Sequence, residues 1–302
     1  MSLIPFTVYE QLSKNDLWYA RKQQYNHWKN FLLHSAKENH SFAKKPRDPI
    51  LQSWRRCQTY DDLNPLIDGS VKNFSDEKIK ALRKQNEVYQ LAYPILKKEG
   101  QALSFSKHVI IFFDGEGAML DFYGDASVFR KMGEQVNANV GAIWSERWAG
   151  TNAIGTSIYL KQPIQIFSSE HFAFGCHDWV CSAAPILNPL TKEVIGVVNL
   201  SSSINNFHPL SLMKAIEIVN QIERTYFQFM LGAQEILHSL YAETANKWNN
   251  HIVALWNTNG NIIKQNQNHL ISEVEKMLSP VVKKSLFLPE HDWEEHMIES
   301  IS

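Results

Sequence analysis

Apolar residues recur every three or four positions through the first part of the chain, which is the spacing of amphipathic helices. This spacing predicts helices over residues 7–35 and 46–60. Ser75 is followed by two acidic residues, a composition typical of a capped helix start, and the helix predicted there continues to about Leu103. The N-terminal quarter is therefore predicted to be helical.

From Lys107 the pattern changes to continuous apolar runs separated by turn residues. The segment HVIIFFDGEGAMLDFYG, residues 108–124, predicts a β-hairpin around an Asp-Gly-Glu-Gly turn. Three further strands are predicted within QPIQIF (162–167), WVCSAAPIL (179–187) and EVIGVVNLSSS (193–203). Helical segments at about 125–133 and 151–161 lie between these strands. This order indicates an α+β fold with a largely antiparallel sheet.

A long helical pattern follows from about Pro209 to Tyr241. Residues 251–266 then predict two strands joined by an Asn-Gly turn, and LISEVEKML (270–278) predicts a helix, which together resemble the opening of a PAS-like domain. We therefore expect three parts: a helical N-terminal segment (1–75), an α+β domain with a long C-terminal helix (76–240), and a partial PAS-like or linker segment (241–302).

Composition narrows the class of protein. The chain has 302 residues, 44% of them hydrophobic, and its 30 basic residues balance 31 acidic ones, so no overall charge favours nucleic acid or an acidic membrane. The sequence carries neither a signal-peptide pattern nor a long apolar run, which predicts a cytoplasmic protein without membrane contact. Three cysteines are an odd number and argue against a disulfide framework.

The segment ERWAGTNAIGTSIYL (146–160) raises the question of phosphate binding, because Gly150 and Gly155 have the spacing of a P-loop. A P-loop also needs a lysine directly after the second glycine, and this chain has Thr156 there. The Gly-x-Gly-x-x-Gly pattern of dinucleotide-binding folds is absent too. The residues alone favour a helix start, capped by Thr151 or Asn152 and packed closely through small residues.

Several blocks occur together in a specific order. They are IWSERWAGTNAIGTSIYL, then SSEHF, then WVCSAAPI and then VIGVVNLSSS, with RDPILQSWRRC upstream. Over about residues 46–235 this series resembles the GAF domain and preceding helices of bacterial enhancer-binding activators similar to the acetoin and glycerol/dihydroxyacetone regulators. Two departures stand out: Asn199 replaces an aspartate usual in the family, and Gly175-Cys176 forms a less typical loop.

The resemblance implies a regulatory sensor rather than an enzyme, with no cofactor. Its GAF pocket would bind a small-molecule effector and influence an output module or partner. In full-length relatives the output module is an AAA+ ATPase that acts on sigma-54 polymerase, followed by a helix-turn-helix. This chain shows no Walker lysine, so we expect it to reach the transcription machinery or DNA only through an output domain outside it.

Nine residues in or near these blocks are candidate ligand contacts: Trp144, Glu146, Thr151, Asn152, His171, Phe172, Trp179, Cys181 and Ser182. Aromatic side chains can enclose a ligand, and a polar group within an apolar block needs a partner, which a ligand can supply. The alternative is that the aromatic residues fill the core and the polar residues cap helices or bond to one another. No catalytic residue is assigned.

Other chemistries remain open for the cysteines and histidines. His171, Cys176, His177 and Cys181 are residue types that bind zinc or iron, but their spacing matches no common metal motif, and no metal site is assigned. Cys176 and Cys181 could instead serve as nucleophile and resolving thiol, as in GAF-fold enzymes that reduce free methionine sulfoxide. A third possibility is a ligand-free dimerisation scaffold.

The long helix predicts a homodimer, the alternative being that its whole apolar surface packs inside one chain, against the N-terminal helices. Its apolar residues follow alternating steps of three and four, the spacing of a coiled-coil seam. The predicted seam consists of Leu212, Ala215, Val219, Ile222, Tyr226, Phe229, Ala233, Ile236 and Leu240.

Overall fold

The computed structural model describes residues 14–34, 46–249, 253–256 and 262–266. The chain divides into two compact units, Met1–Phe227 and Gln228–Ser302. The candidate ligand residues all belong to the first unit.

Among the residues that the structure describes, four helices precede the sheet: α1 Lys14–His34, α2 Asp48–Gln58, α3 Asp76–Gln85 and α4 Glu87–Ala102. The Ser75 side chain accepts a hydrogen bond from the Lys78 backbone N–H, which confirms the predicted cap. The single helix predicted from there to Leu103 is wrong, because Asn86 separates α3 from α4. Its extended backbone (φ −86°, ψ 98°) ends α3, and its side chain caps α4 by accepting a hydrogen bond from Tyr89 N–H.

The antiparallel sheet that the sequence predicts is confirmed. Its strands are β1 His108–Asp114, β2 Met119–Gly124, β3 Ile164–Phe167, β4 Trp179–Leu187 and β5 Val194–Ser203, in the order β2-β1-β5-β4-β3. Every neighbouring pair is antiparallel, and β1 with β2 forms the expected hairpin. Three helices lie between β2 and β3: α5 Ala126–Val136, α6 Glu146–Ala149 and α7 Ala153–Leu160.

Strand alternation gives the sheet two buried faces. On the first face, strand residues such as Ile111, Cys181 and Val197 share a core with α1, α2, α5, α6 and α7. On the second face, residues such as Phe112, Ile186 and Leu200 share a core with α4 and the long helix α8, Ser211–Lys247. Both faces are therefore covered by helices, and each polar side chain on them needs a partner.

The long helix α8 agrees with its sequence prediction, and residues after it form a short antiparallel hairpin. Strands β6 Ala254–Trp256 and β7 Ile262–Gln265 pair as the Asn-Gly pattern predicts. The helix predicted over 270–278 and the beginning of the one predicted over 7–35 lie outside the described residues.

Candidate functional site

The Gly-Thr-Asn-Ala-Ile-Gly-Thr segment links α6 to α7 by close backbone packing. Asn152 caps α7, accepting a hydrogen bond from Gly155 N–H at 2.9 Å and donating to the carbonyl oxygens of Trp144 and Gly150 at 2.9 and 2.8 Å. Gly150 has φ +68°, and a Cβ there would lie 2.7 Å from the Phe172 Cβ. A Cβ on Gly155 would lie 2.5 Å from the Glu146 nitrogen. These glycines therefore serve packing, as the helix-start interpretation expects.

Glu146 is buried and fully engaged by protein groups. Its carboxylate accepts two hydrogen bonds from Arg56, both at 2.8 Å, and one each from Ser53 at 2.6 Å and Thr156 at 2.9 Å. The hydroxyl of Thr151 completes this network, 2.7 Å from that of Ser53. The network joins α2 to α6 and α7, so these predicted ligand residues hold the loop that carries Trp144.

Two indoles and one amide on the first face of the sheet differ from Glu146 in their hydrogen bonding. Trp144, Trp179 and Asn199 are at most 4% exposed. Within the part of the chain that the structure describes, neither the Nε1–H of Trp144, the Nε1–H of Trp179 nor the Oδ1 of Asn199 has a hydrogen-bond partner. We call these three atoms the indole–amide set. Such groups are uncommon in native proteins and call for an explanation.

Strand geometry assigns members of the indole–amide set to the first face of the sheet, where the β4–β5 register pairs Trp179 with Ser203 and Asn199 with Ala183. Trp179 and Cys181 lie on the first face of β4, and Asn199 lies on the same face of β5, two residues beyond the core residue Val197. Trp144 belongs to the same core. Sequence reasoning did not select Asn199 as a contact, although its departure from the family aspartate was the signal that could have found it.

Ser182 is separated from this group. It follows Cys181 in β4, so its side chain lies on the opposite face of the sheet, where it accepts a hydrogen bond from Gln165 Nε2 at 2.9 Å. Trp144, Trp179 and Cys181 thus share the core on the first face of the sheet, and Ser182 does not.

The segment before β4 carries two buried histidines. His171 Nδ1 lies 2.8 Å from the Ser168 carbonyl oxygen, and His177 Nδ1 lies 3.0 Å from Ser169 Oγ. Burial lowers the pKa of His171 to about 4 and that of His177 to about 3. Both rings are therefore neutral at pH 7. The neighbouring Phe172 is buried, and its carbonyl oxygen accepts a hydrogen bond from the Trp28 indole at 2.9 Å.

The thiols lack the activation that nucleophilic chemistry needs. Burial raises the pKa of Cys57 to about 12 and that of Cys181 to about 11, and it raises the pKa of Cys176 well above its usual value. All three are free thiols. Over the described residues, no group of three or more metal-ligating side chains is placed to hold an ion.

A cleft of about 660 Å³ lies between α1 and the segment before β4. Its walls include Trp18, Arg21, Tyr25, Phe174 and His177, and Arg21 forms an ion pair with Asp178. The nine predicted ligand residues do not contribute to its lining. None of the helices described is both long and apolar enough to cross a membrane.

Comparison with known proteins gives a consistent family. The family model of the MimR N-terminal domain matches residues 50–224. The acetoin dehydrogenase operon transcriptional activator AcoR of Bacillus subtilis (strain 168) is 29% identical over 198 residues, covering 65% of this chain and 32% of AcoR. The propane 2-monooxygenase operon transcriptional activator MimR of Mycolicibacterium goodii is 26% identical over 218 residues, covering 72% of this chain and 36% of MimR.

These curated relatives are transcriptional activators, regulatory rather than enzymatic, and the chain spans about a third of their length. The E. coli DhaR(N)–DhaL complex contains a chain with the same fold, with a TM-score of 0.61, 15% identity, and coverage of 79% of this chain and 86% of that one. This likeness confirms the predicted GAF-like α+β fold. Since the family model covers more than half of the 302 residues, the chain belongs to the family of MimR N-terminal domains.

Proposed function

We propose that this chain is the small-molecule-sensing region of a bacterial transcriptional regulator that works in the cytoplasm. The effector would bind on the first face of the sheet, against Trp144, Trp179 and Asn199. The observation that carries this proposal is the indole–amide set, whose two donors and one acceptor are buried and find no partner among the described residues.

The energetics support a ligand at this place. A buried polar group without a hydrogen bond costs roughly 1–3 kcal/mol, and a hydrogen bond made there recovers that cost. An uncharged polar molecule has the groups that this set needs, because an oxygen accepts a hydrogen bond from an indole and a hydroxyl donates one to the Asn199 carbonyl oxygen. Cys181 lies on the same face and would border the molecule.

The remaining predicted contacts take other roles in this proposal. Glu146, Thr151 and Asn152 position the loop that carries Trp144 through hydrogen bonds within the protein. His171 and Phe172 shape the segment that leads into Trp179. Ser182 is left out, since it lies on the other face of the sheet.

We further propose that α8 transmits the signal and that two copies of the chain meet along its C-terminal half, which we call the outer half. In the predicted seam, Leu212, Ala215, Val219 and Ile222 are buried, the last three of them in the second core, but Phe229, Ala233, Ile236 and Leu240 are exposed. Output would come from a domain joined to this region or from a protein partner. The DhaR(N)–DhaL complex is a precedent for a partner in a protein of the same fold.

A thermal-shift screen tests the sensing proposal. Small polyols, ketones and aromatic metabolites are added to the intact chain. A compound that raises Tm is then titrated into the intact chain and into each variant to measure its affinity. Asn199→Ala and Trp179→Phe should each weaken binding of that compound by about fivefold or more, the value of one hydrogen bond. Trp54→Phe is the control, because the Trp54 indole donates to the Glu170 carbonyl oxygen within the protein. Equal binding by all variants would remove the indole–amide set from the site.

A further inference from the structure

Three buried side chains on the first face of the sheet, beginning with Asn199, are joined in series by hydrogen bonds. Asn199 Nδ2 donates to Ser201 Oγ at 2.7 Å, and Ser201 Oγ donates to Cys181 Sγ at 3.2 Å. Asn199 and Ser201 are two residues apart on β5, and Cys181 is the cross-strand partner of Ser201 on β4. All three are at most 6% exposed.

The direction of these two hydrogen bonds determines which end of the Asn199 amide is available to a ligand. A side-chain amide has nearly the same shape when it is turned by 180°, so shape alone does not select its orientation. Here the Ser201 hydroxyl donates its hydrogen bond to the Cys181 sulfur. The Ser201 oxygen therefore accepts a hydrogen bond from the amide nitrogen of Asn199. The Asn199 carbonyl oxygen is consequently the end that faces away from Ser201.

We propose that Ser201 and Cys181 are specificity-determining positioning residues, which hold Asn199 so that its carbonyl oxygen selects a ligand with a hydrogen-bond donor. This inference rests on the proposed ligand site. Its observations are the two hydrogen bonds and the unpaired state of Asn199 Oδ1 among the described residues. Neither Ser201 nor Cys181 needs to touch the ligand to exert this effect.

The test compares two probes of equal size, cyclopentanol, which donates and accepts, and cyclopentanone, which only accepts. In the intact chain the alcohol should bind more tightly than the ketone. Ser201→Ala frees the amide to turn, so the ratio of the two affinities should fall by about fivefold. Cys181→Ala should lower the ratio in the same direction, because the Ser201 hydroxyl can then donate to Asn199. A ratio of affinities is insensitive to a uniform loss of stability.

Two matched controls are available. Ser202 is the neighbouring buried serine, but its hydroxyl bonds to the Asn206 carbonyl oxygen on the other side of the strand. Cys176 is a buried thiol whose contact is the Asp68 carbonyl oxygen. Ser202→Ala and Cys176→Ala should leave the ratio unchanged. A ratio that is unaltered in Ser201→Ala, or altered equally in the controls, would overturn the inference.

A ligand-free measurement separates this inference from the proposed function. The NMR cross-peaks between the Asn199 amide protons and the Ser201 β-protons report the amide orientation. They should be present in the intact chain. Their absence would overturn the inference whether or not a probe binds. If the cross-peaks are present and neither probe binds the intact chain, the orientation is supported and the ligand site itself is the part contradicted.

Discussion

At the scale of single residues, the presence or absence of an acceptor for the indole N–H distinguishes structural tryptophans from candidate ligand contacts. Trp54 donates to the Glu170 carbonyl oxygen at 2.8 Å, whereas Trp179 finds no acceptor among the described residues. Trp54→Phe should therefore cost about 1–2 kcal/mol more than Trp179→Phe, since only the first change leaves a buried carbonyl without its donor. Urea unfolding of both variants measures the difference, and equal costs would contradict the assignment.

The buried histidines predict how stability depends on pH. His171 and His177 have folded-state pKa values of about 4 and about 3, below the value of about 6.5 expected in the unfolded chain. The unfolded state therefore binds more protons below pH 6.5, and stability is lost as the pH falls. Each histidine should contribute a slope of up to about 1.4 kcal/mol per pH unit between pH 6 and 5.

Chemical unfolding at a series of pH values checks this slope. His177→Gln should flatten it, because this change removes one of the two buried rings. If His177→Gln does not fold, NMR titration of the intact chain serves instead, and the two buried rings should remain neutral down to pH 5. A ring that titrates near pH 6.5 in the folded protein would refute the account.

Strand alternation also explains which candidate residues the sequence could identify. Trp144 and Trp179 stand out as aromatic residues in ordered blocks, and both belong to the core of the proposed site. Asn199 was noticed only as a departure from the family, because its role depends on the strand register and on the bond to Ser201. Glu146 was chosen as a buried polar residue, but three of its four protein hydrogen bonds come from α2, far away in the sequence.

At the scale of elements, the ion pair between Arg56 and Glu146 joins α2 to α6. The Glu146 side chain is 5% exposed and that of Arg56 is 20% exposed, so loss of one partner leaves a largely buried charge. Glu146→Ala should cost about 3 kcal/mol or more. Glu193→Ala, which breaks an exposed pair with Lys161, should cost less than about 1 kcal/mol. Similar costs for the two variants would show that the buried network is not what joins the helices.

Periodicity and caps predicted most elements well, because they are local signals. The β1–β2 hairpin follows from its turn residues, and the Ser75 cap from its composition. The break at Asn86 was missed because the apolar spacing continues across it, while the cap that separates the helices needs only one amide. The predicted boundaries at 75 and 240 remain predictions.

For the whole molecule, the outer half of α8 predicts self-association. Phe229 and Ile236 are 46% and 63% exposed, and a second copy would cover them. Light scattering at micromolar concentration should give twice the 34.8 kDa mass of one chain. The double variant Phe229→Glu, Ile236→Glu should be monomeric. Leu190→Glu, at an exposed leucine in the β4–β5 turn, should remain a dimer.

A mass near that of one chain for the unaltered protein would contradict self-association. A dimer that the paired glutamates leave intact would place the interface elsewhere. Neither result would bear on the ligand site, because the seam residues are not members of the indole–amide set.

The central claim is that an effector binds against the indole–amide set. The most direct measurement is the 1H–15N NMR spectrum of the tryptophan indoles, recorded with the compound that gives the largest Tm increase. The account predicts that the Nε1–H signals of Trp144 and Trp179 move as they gain an acceptor, while that of Trp54 stays in place. Signals that move only for exposed tryptophans such as Trp18, or no movement at saturating compound, would contradict it.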